Sequence, residues 1–547
     1  MRCALAGLAG FLVTTFATGS AVAAVIQVGP GDSYTKIEGA QPGDEVVIAP
    51  GTYTFRVFLT QVAPANSPIH IHAQDPANPP VWDMGATLVE DAPGSYGGGD
   101  KGRGCWQISG GTNYLIEGIV FQNCRTSDAD SAGIRYYEGA SITVRDCVFR
   151  NDDNGMTGGT QNSTAVVEYC EFDHNGNAAA PTSAPTHNLY IYGGTFTLRY
   201  SWVHDALQGQ NFHVRAQQAT LESNWFARAA SYEGDLMTDD DYAGGSTFTQ
   251  SIVLRGNVFF EGSTQSNDGQ IFVLYNDTKA SGLTMSAHLL YNTFVGDGNH
   301  PAFVHLSNAD GTPMTVRVDD NVVAGTSQVV LVEDATHGTV SGTNNWIQAG
   351  AAATGLTASA TGSDPGFVDA SAEDYHLAPG SACIGAASST GIDDLPTTEY
   401  WENEVVTRLQ RARAGTHDIG AFESTTNSTV EGPYGPVGDA GGAPGSDGGA
   451  AGGDAGSGAP DAGISPDGGA EGSDASTGAV TDDGRADGGT GGNGNSGGCG
   501  CRVGAAPAAA GGMASVLLLL AGLTRRRGSQ RRAPLAKREA GARGGDA

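Results

Sequence analysis

Short runs of alternating apolar and polar residues recur along positions 25–424. They end in a recurring local pattern: apolar, any, polar, any, Asn or Cys (Ile119 and Ser201 stand in that slot in two runs), any, then Phe, Val or Ile. The pattern fills 115–121, 143–149, 166–172, 197–203, 220–226, 253–259, 288–294, 317–323 and 341–347. Its key position holds, in turn, Ile119, Cys147, Cys170, Ser201, Asn224, Asn257, Asn292, Asn321 and Asn345, at intervals of 23–35 residues. A period of two means strands, and the Gly and Asn between runs mean turns. A motif repeated at this interval marks a solenoid whose coils stack on one another. The expected fold class is all-β, a parallel β-helix of about nine or more coils. Asn at one position of five successive coils predicts an amide ladder, each side chain bonding the next about 4.8 Å away. Cys147 and Cys170 share that position one coil apart and read as a stacked thiol pair, with a disulfide as the alternative.

Composition changes the picture mainly at the ends. The chain has 547 residues, 59 acidic against 28 basic, with 83 glycines and 8 cysteines. Residues 25–424 alone carry 46 acidic and 17 basic side chains, which excludes an electrostatic nucleic-acid partner. Residues 1–24 start with Arg2, run apolar from Ala4 to Phe16 and end in Ala21-Val22-Ala23, the layout of an export signal cleaved near its end. Residues 425–496 are almost all Gly, Asp, Ala, Ser and Pro; such a segment cannot bury enough apolar surface to fold and is expected to be a disordered stalk. In 497–547, a charge-free apolar run at 505–523 precedes Arg525-Arg526-Arg527, long enough for a transmembrane helix with the arginines cytoplasmic. The expected partners are therefore the export and sorting machinery, a membrane through the C-terminal helix, and whatever lies outside the cell surface. Export also permits a disulfide between Cys105 and Cys124, although connectivity is not fixed by spacing. No cysteine pair in the body has chelating spacing, which argues against a thiolate metal centre.

Two resemblances follow. Gly497-Gly498-Cys499-Gly500-Cys501, the apolar run and the arginine cluster together resemble the C-terminal sorting tag of myxobacterial surface proteins, which implies retention at the cell surface. The segment Gly43-Asp44-Glu45-Val46-Val47-Ile48-Ala49-Pro50-Gly51-Thr52-Tyr53 resembles the entry of chondroitinase B-like and alginate lyase proteins. Asp364-Pro365-Gly366-Phe367, Leu377-Ala378-Pro379-Gly380-Ser381 and Asp418-Ile419-Gly420-Ala421-Phe422-Glu423 resemble the closing segments of exported bacterial β-helix proteins. Over 25–424 the chain thus resembles the pectate-lyase-like superfamily, which implies a right-handed parallel β-helix. The fold hosts lyases, epimerases, hydrolases and adhesins alike.

Candidate chemistry lies on the strands that precede the repeat. Aligning apolar positions stacks 133–137 on 188–192, then 211–215, then 233–236. Alternation then sends Arg135, Tyr190, His213 and Asp235 outward in one column. Tyr137, Tyr192 and Arg215 form a second column, and Asn188, Asn211 and Glu233 a third. Gln270, Tyr275, His300 and His305 follow on neighbouring coils. Tyrosine faces stack on sugar rings, and amides and carboxylates take hydroxyls, so the expected partner is extracellular polysaccharide. A uronate lyase needs a cation for the sugar carboxylate, a base for the C5 proton and an acid for the leaving oxygen. Arg215 or Arg135 suits the first role, His213 the second, and Tyr190 or Tyr192 the third; the same set serves C5 epimerisation. Asp235, Asp239, Asp240 and Asp241 offer oxygens for Ca2+, with a solvated acidic loop as the alternative. Asn151-Asp152-Asp153-Asn154-Gly155 reads as a turn. The rival function is a non-catalytic surface adhesin or glycan-binding module.

Overall fold

A computed structural model describes residues 23–89, 103–177, 186–238, 249–261, 270–277, 282–388, 393–401 and 408–437. The expected signal peptide, the transmembrane segment and the Cys-x-Cys tag lie outside these residues. So does the stalk from 438 onward. No helix among the described residues is long and apolar enough to cross a membrane.

The chain winds as a parallel β-helix with three strand-bearing faces. The first sheet has thirteen parallel strands in sequence order, from Val25–Val28 through Ser141–Arg145 to Leu356–Thr357. The second sheet stacks short strands such as Val148–Arg150, Glu171–Asp173 and Trp202–His204. The third carries Gly104–Ser109, Ala132–Tyr137, Asn154–Gly158, Leu189–Ile191, Phe212–Val214, Gly234–Met237 and Gln270–Tyr275. Two long strands, Thr293–Ser307 and Val322–Val332, run through both the second and third sheets.

The repeated motif marks the corner between the first and second sheets. The residue before each key position has positive φ: Gly118, Asp146, Tyr169, Tyr200, Ser223, Gly256, Tyr291, Asp320 and Asn344. Only Gly takes that conformation freely, so the seven other side chains there are held by the stacked coils around them. The kink turns the next side chain inward, and every key residue is buried. Asn224, Asn257, Asn292, Asn321 and Asn345 form the expected ladder, with Nδ2 to Oδ1 distances of 2.9, 3.0, 2.9 and 3.1 Å. Each Oδ1 also accepts the backbone N–H of the preceding coil's key residue, as Asn257 does from Asn224 at 3.0 Å. These amides satisfy backbone groups that the corner removes from the sheet ladders. Cys147 and Cys170 are free buried thiols, and the Cys147 N–H points to Cys170 Sγ at 3.4 Å. Cys105 and Cys124 are bridged.

Apolar rings fill the interior beside this corner. Phe121, Phe149 and Phe172 stack face to face at 5.1 and 4.7 Å, and Phe226, Phe259 and Phe294 do so at 4.9 Å per step. Offset stacks of this kind add stabilisation beyond the area they bury.

Residues after the last coil fold back along the outer face of the second sheet. Trp225 and Val258 pack there against Tyr375, Tyr400 and Phe422, and Arg228 pairs with Glu373 at 2.9 Å. The stalk boundary at 425 needs correction. Thr426–Gly432 and Gly435–Val437 are strands of a four-stranded antiparallel sheet with Thr398–Trp401 and Leu409–Arg413. Their alternation is too short, and too rich in Gly and Pro, to stand out from the stalk that follows.

Candidate functional site

The third sheet brings the expected residues into register, with one coil more than the sequence alignment allowed. Strand Asn154–Gly158 lies between 132–137 and 189–191, so Arg135 pairs with Thr157 and Thr157 with Tyr190. The segment read as a turn at 151–155 therefore supplies a strand at its end. From there the column runs as expected: Tyr190 beside His213, and His213 beside Asp235. Val273 and His305 continue it.

Burial departs from the expectation of a flat exposed face. His213 is 6% exposed, Arg215 7%, Asp235 3% and Arg135 4%, whereas Tyr137, Tyr190, Tyr192 and Tyr275 are half-buried. His213 Nδ1 lies 3.0 Å from Asp235 Oδ2, and its Nε2 accepts from Arg215 Nε at 3.0 Å. Both ring nitrogens of the expected base are thus engaged, which fixes His213 as the neutral tautomer with its proton on Nδ1. Arg215 is held further by Thr238 O at 3.0 Å and Asp277 Oδ2 at 2.7 Å. Tyr190 sets its edge against His213 with ring centroids 4.5 Å apart, and Tyr192 lies 4.6 Å from Tyr190. Arg135 stands apart from this cluster, donating to Tyr137 Oη at 2.9 Å and pairing with Asp130 at 3.3 Å.

The third expected column is not outward at all. Asn188, Asn211 and Glu233 are fully buried. They precede the strands proper, at the corner between the second and third sheets, where the alternation rule no longer applies. Gly133 and Gly155 share that column, and a side chain at Gly133 would collide with the Phe149 ring at 2.7 Å. The three residues instead form a second polar ladder: Asn175 to Asn188 at 2.9 Å, Asn188 to Asn211 and Asn211 to Glu233 each at 2.6 Å. They support the wall of the site and cannot touch a substrate.

His187 was missed by sequence reasoning. It stands just before the Leu189–Ile191 strand, buried, with its ring centroid 4.7 Å from His213 and 5.1 Å from Tyr190. Its Nδ1 accepts the Gln210 N–H at 3.1 Å. A histidine abutting a strand that carries two outward tyrosines was the available signal. Asp277 had none, because it reaches Arg215 from a loop two coils on.

Burial sets the electrostatics. It holds both His187 and His213 well below the ordinary histidine range, with the charges of His213 and Arg215 adding to the effect on His187 and that of Arg215 to the effect on His213. Burial pushes Asp235 up to about 6 and Glu233 up to about 8. The Glu233 shift has a sign consequence. Its folded pKa lies above its unfolded value of about 4.3, so the folded state binds more protons across that window and loses stability as pH rises through it. His187 and His213 act the opposite way until their unfolded forms have lost their protons, at about pH 7.5. Melting curves from about pH 7.5 to 8.5 should show Tm falling with pH, and a Tm that rises over that range contradicts a buried, protonated Glu233.

Of the four carboxylates expected to offer oxygens to Ca2+, Asp235 is the one among the described residues, and its Oδ2 turns to His213. Asp239, Asp240 and Asp241 lie outside the described residues, as do the side chains of Gln270 and His300. His305 is described, buried and 3.0 Å from Glu333.

Residues 100–259 match the family model of a right handed beta helix region, in agreement with the parallel coils described above. Among solved structures, pectate lyase Pel9A is 14% identical, with 74% of this chain and 96% of that one covered and a TM-score of 0.44. The GH136 lacto-N-biosidase from Eubacterium ramulus is 11% identical over 62% of this chain and 68% of its own, with a TM-score of 0.40. The PL6 family alginate lyase AlyGC is 13% identical over 69% and 60%, with a TM-score of 0.32. Identities this low and superpositions this loose say nothing of activity. No curated protein matches the sequence.

Proposed function

We propose that the chain is an exported protein, held at the cell surface by its C-terminal tag, that acts on extracellular polysaccharide containing uronate, as a lyase or C5-epimerase-like enzyme. Location rests on the leader and tail patterns. The chemistry rests on one observation: half-exposed Tyr137, Tyr190 and Tyr192 rings adjoin a His213–Arg215–Asp235 cluster in register on one face.

In this reading a sugar stacks on the tyrosines, and its carboxylate draws Arg215 away from Asp277, whose side chain is 39% exposed. The same movement breaks the Arg215–His213 bond and uncovers the Nε2 lone pair. Nε2 then takes the C5 proton, Arg215 stabilises the charge that develops on the carboxylate, and the C4–O bond breaks. The leaving oxygen takes its proton from Tyr190, which His213 later restores. Asp235 keeps the His213 tautomer and steadies the imidazolium. Reprotonation at C5 from the opposite side, without loss of the leaving group, would be epimerisation. Arg135, two coils from Tyr190, extends the binding face and takes no part in proton transfer.

The test is a panel of uronate and neutral polysaccharides incubated with the purified chain, with and without Ca2+, watching ultraviolet absorbance for unsaturated ends and proton spectra for inverted C5 centres. Turnover confined to uronate polymers supports the proposal. Saturable binding with neither product supports the adhesin reading, which the engagement of both His213 nitrogens favours.

A further inference from the structure

A second cluster of ligating side chains lies on the outer face of the first sheet, several coils before His213. His70 and His72 alternate outward on the strand Ile69–Ala73. The neighbouring strands bring Glu45 opposite His70 on one side and Glu117 opposite His72 on the other. One ligating atom from each of Glu45, His70 and His72 lies within 4.8 Å of the others. All three side chains are half-buried, open to solvent yet fixed by the sheet.

From this geometry we infer that Glu45, His70 and His72 bind a borderline divalent transition-metal ion, with Zn2+ the best match. Two imidazoles and a carboxylate are a donor set that such ions favour over Ca2+ or Mg2+. The hydrogen bonding of His72 points the same way. Its Nδ1 lies 2.8 Å from Ala73 O, so Nδ1 carries the proton. Its Nε2 then faces Glu45 Oε1 at 2.9 Å with a lone pair against a lone pair, unless a second proton or a cation sits between them. The neighbouring ring of His70 is satisfied as a neutral imidazole: its Nε2 proton serves Glu117 Oε2, and Nδ1 keeps a lone pair for a cation. The two rings lie with centroids 4.4 Å apart, close enough for one ion to engage a nitrogen of each. One metal ion among Glu45 and the two rings takes the place of the second proton that His72 would otherwise need. The backbone carbonyl on His72 Nδ1 is the kind of outer partner that orients a ligating histidine. Glu117, paired with Arg145 at 2.9 Å, holds His70 from the next coil. Three protein ligands leave a coordination position open to water or to a group from another molecule.

The test is calorimetric titration of Zn2+ into the metal-stripped full chain at pH 7.5, alongside His72→Ala and Glu45→Gln. Each variant differs only at this face, so any other zinc-binding thiols contribute equally to all three. The wild type should bind one more equivalent than His72→Ala, and Glu45→Gln should weaken that equivalent by about 10- to 100-fold. Affinity should fall on acidification, because protons compete with the metal for the same nitrogens. Circular dichroism of each variant checks that the sheet is intact; should His72→Ala not fold, His70→Gln replaces it. Equal zinc stoichiometry and affinity in wild type and variants overturns the inference, as does the absence of binding by the wild type.

Discussion

Asn292→Ala lowers the unfolding free energy by about 3–5 kcal/mol, as several buried polar groups lose their partners at about 1–3 kcal/mol each and do not add fully. Asn292 sits inside the ladder. Its Nδ2 donates to Leu254 O at 2.8 Å and to Asn321 Oδ1 at 2.9 Å, and its Oδ1 accepts the backbone N–H and side-chain amide of Asn257, both at 3.0 Å. Alanine leaves all four partners in a dry interior. Because each coil touches only its neighbours, the loss should appear first as local opening of the coils around 257–321. Urea unfolding with hydrogen exchange checks this. A loss below about 1 kcal/mol, the net worth of one ordinary hydrogen bond, would show that the ladder merely fills space.

His213→Asn lowers turnover of uronate polymers by about 100-fold or more, the usual contribution of a positioned base. Asparagine keeps an N–H to offer Asp235 but has no lone pair where Nε2 stood. Since His213 is buried between Asp235 and Arg215, a modest stability cost comes with the change, and Tm should fall by no more than about 5 °C. Kinetics at substrate saturation beside a melting curve separate the two effects. Full turnover in the variant moves the base elsewhere, with His187 the nearest alternative.

The solenoid was legible because its corner residues repeat. The inward Asn or Cys follows a left-handed residue in coil after coil, and one visible slot located the first two sheets together. The third sheet had no such marker. Its strand at 154–158 hides behind Asn151-Asp152-Asp153, a string of turn formers whose carboxylates are in fact buried, with Asp152 accepting the Cys124 N–H at 2.7 Å. One coil was therefore missed, and Arg135 was placed too near Tyr190. Alternation ordered Tyr190, His213 and Asp235 correctly because all three lie within strands. It failed for Asn188, Asn211 and Glu233, which lie at a corner where the chain bends and a period of two has no meaning. Nor does alternation report depth: an outward residue on a solenoid is still covered when tyrosines, a second histidine and a loop carboxylate close over it.

The central claim is that a uronate sits against the tyrosines and takes Arg215 from His213. A crystal structure of the His213→Asn chain with a uronate oligosaccharide tests it most directly. The account predicts a sugar ring on Tyr190 and Tyr192, its carboxylate on Arg215, and Asp277 released. An oligosaccharide bound on another face, or one bound here with Arg215 still paired to Asp277, would contradict it.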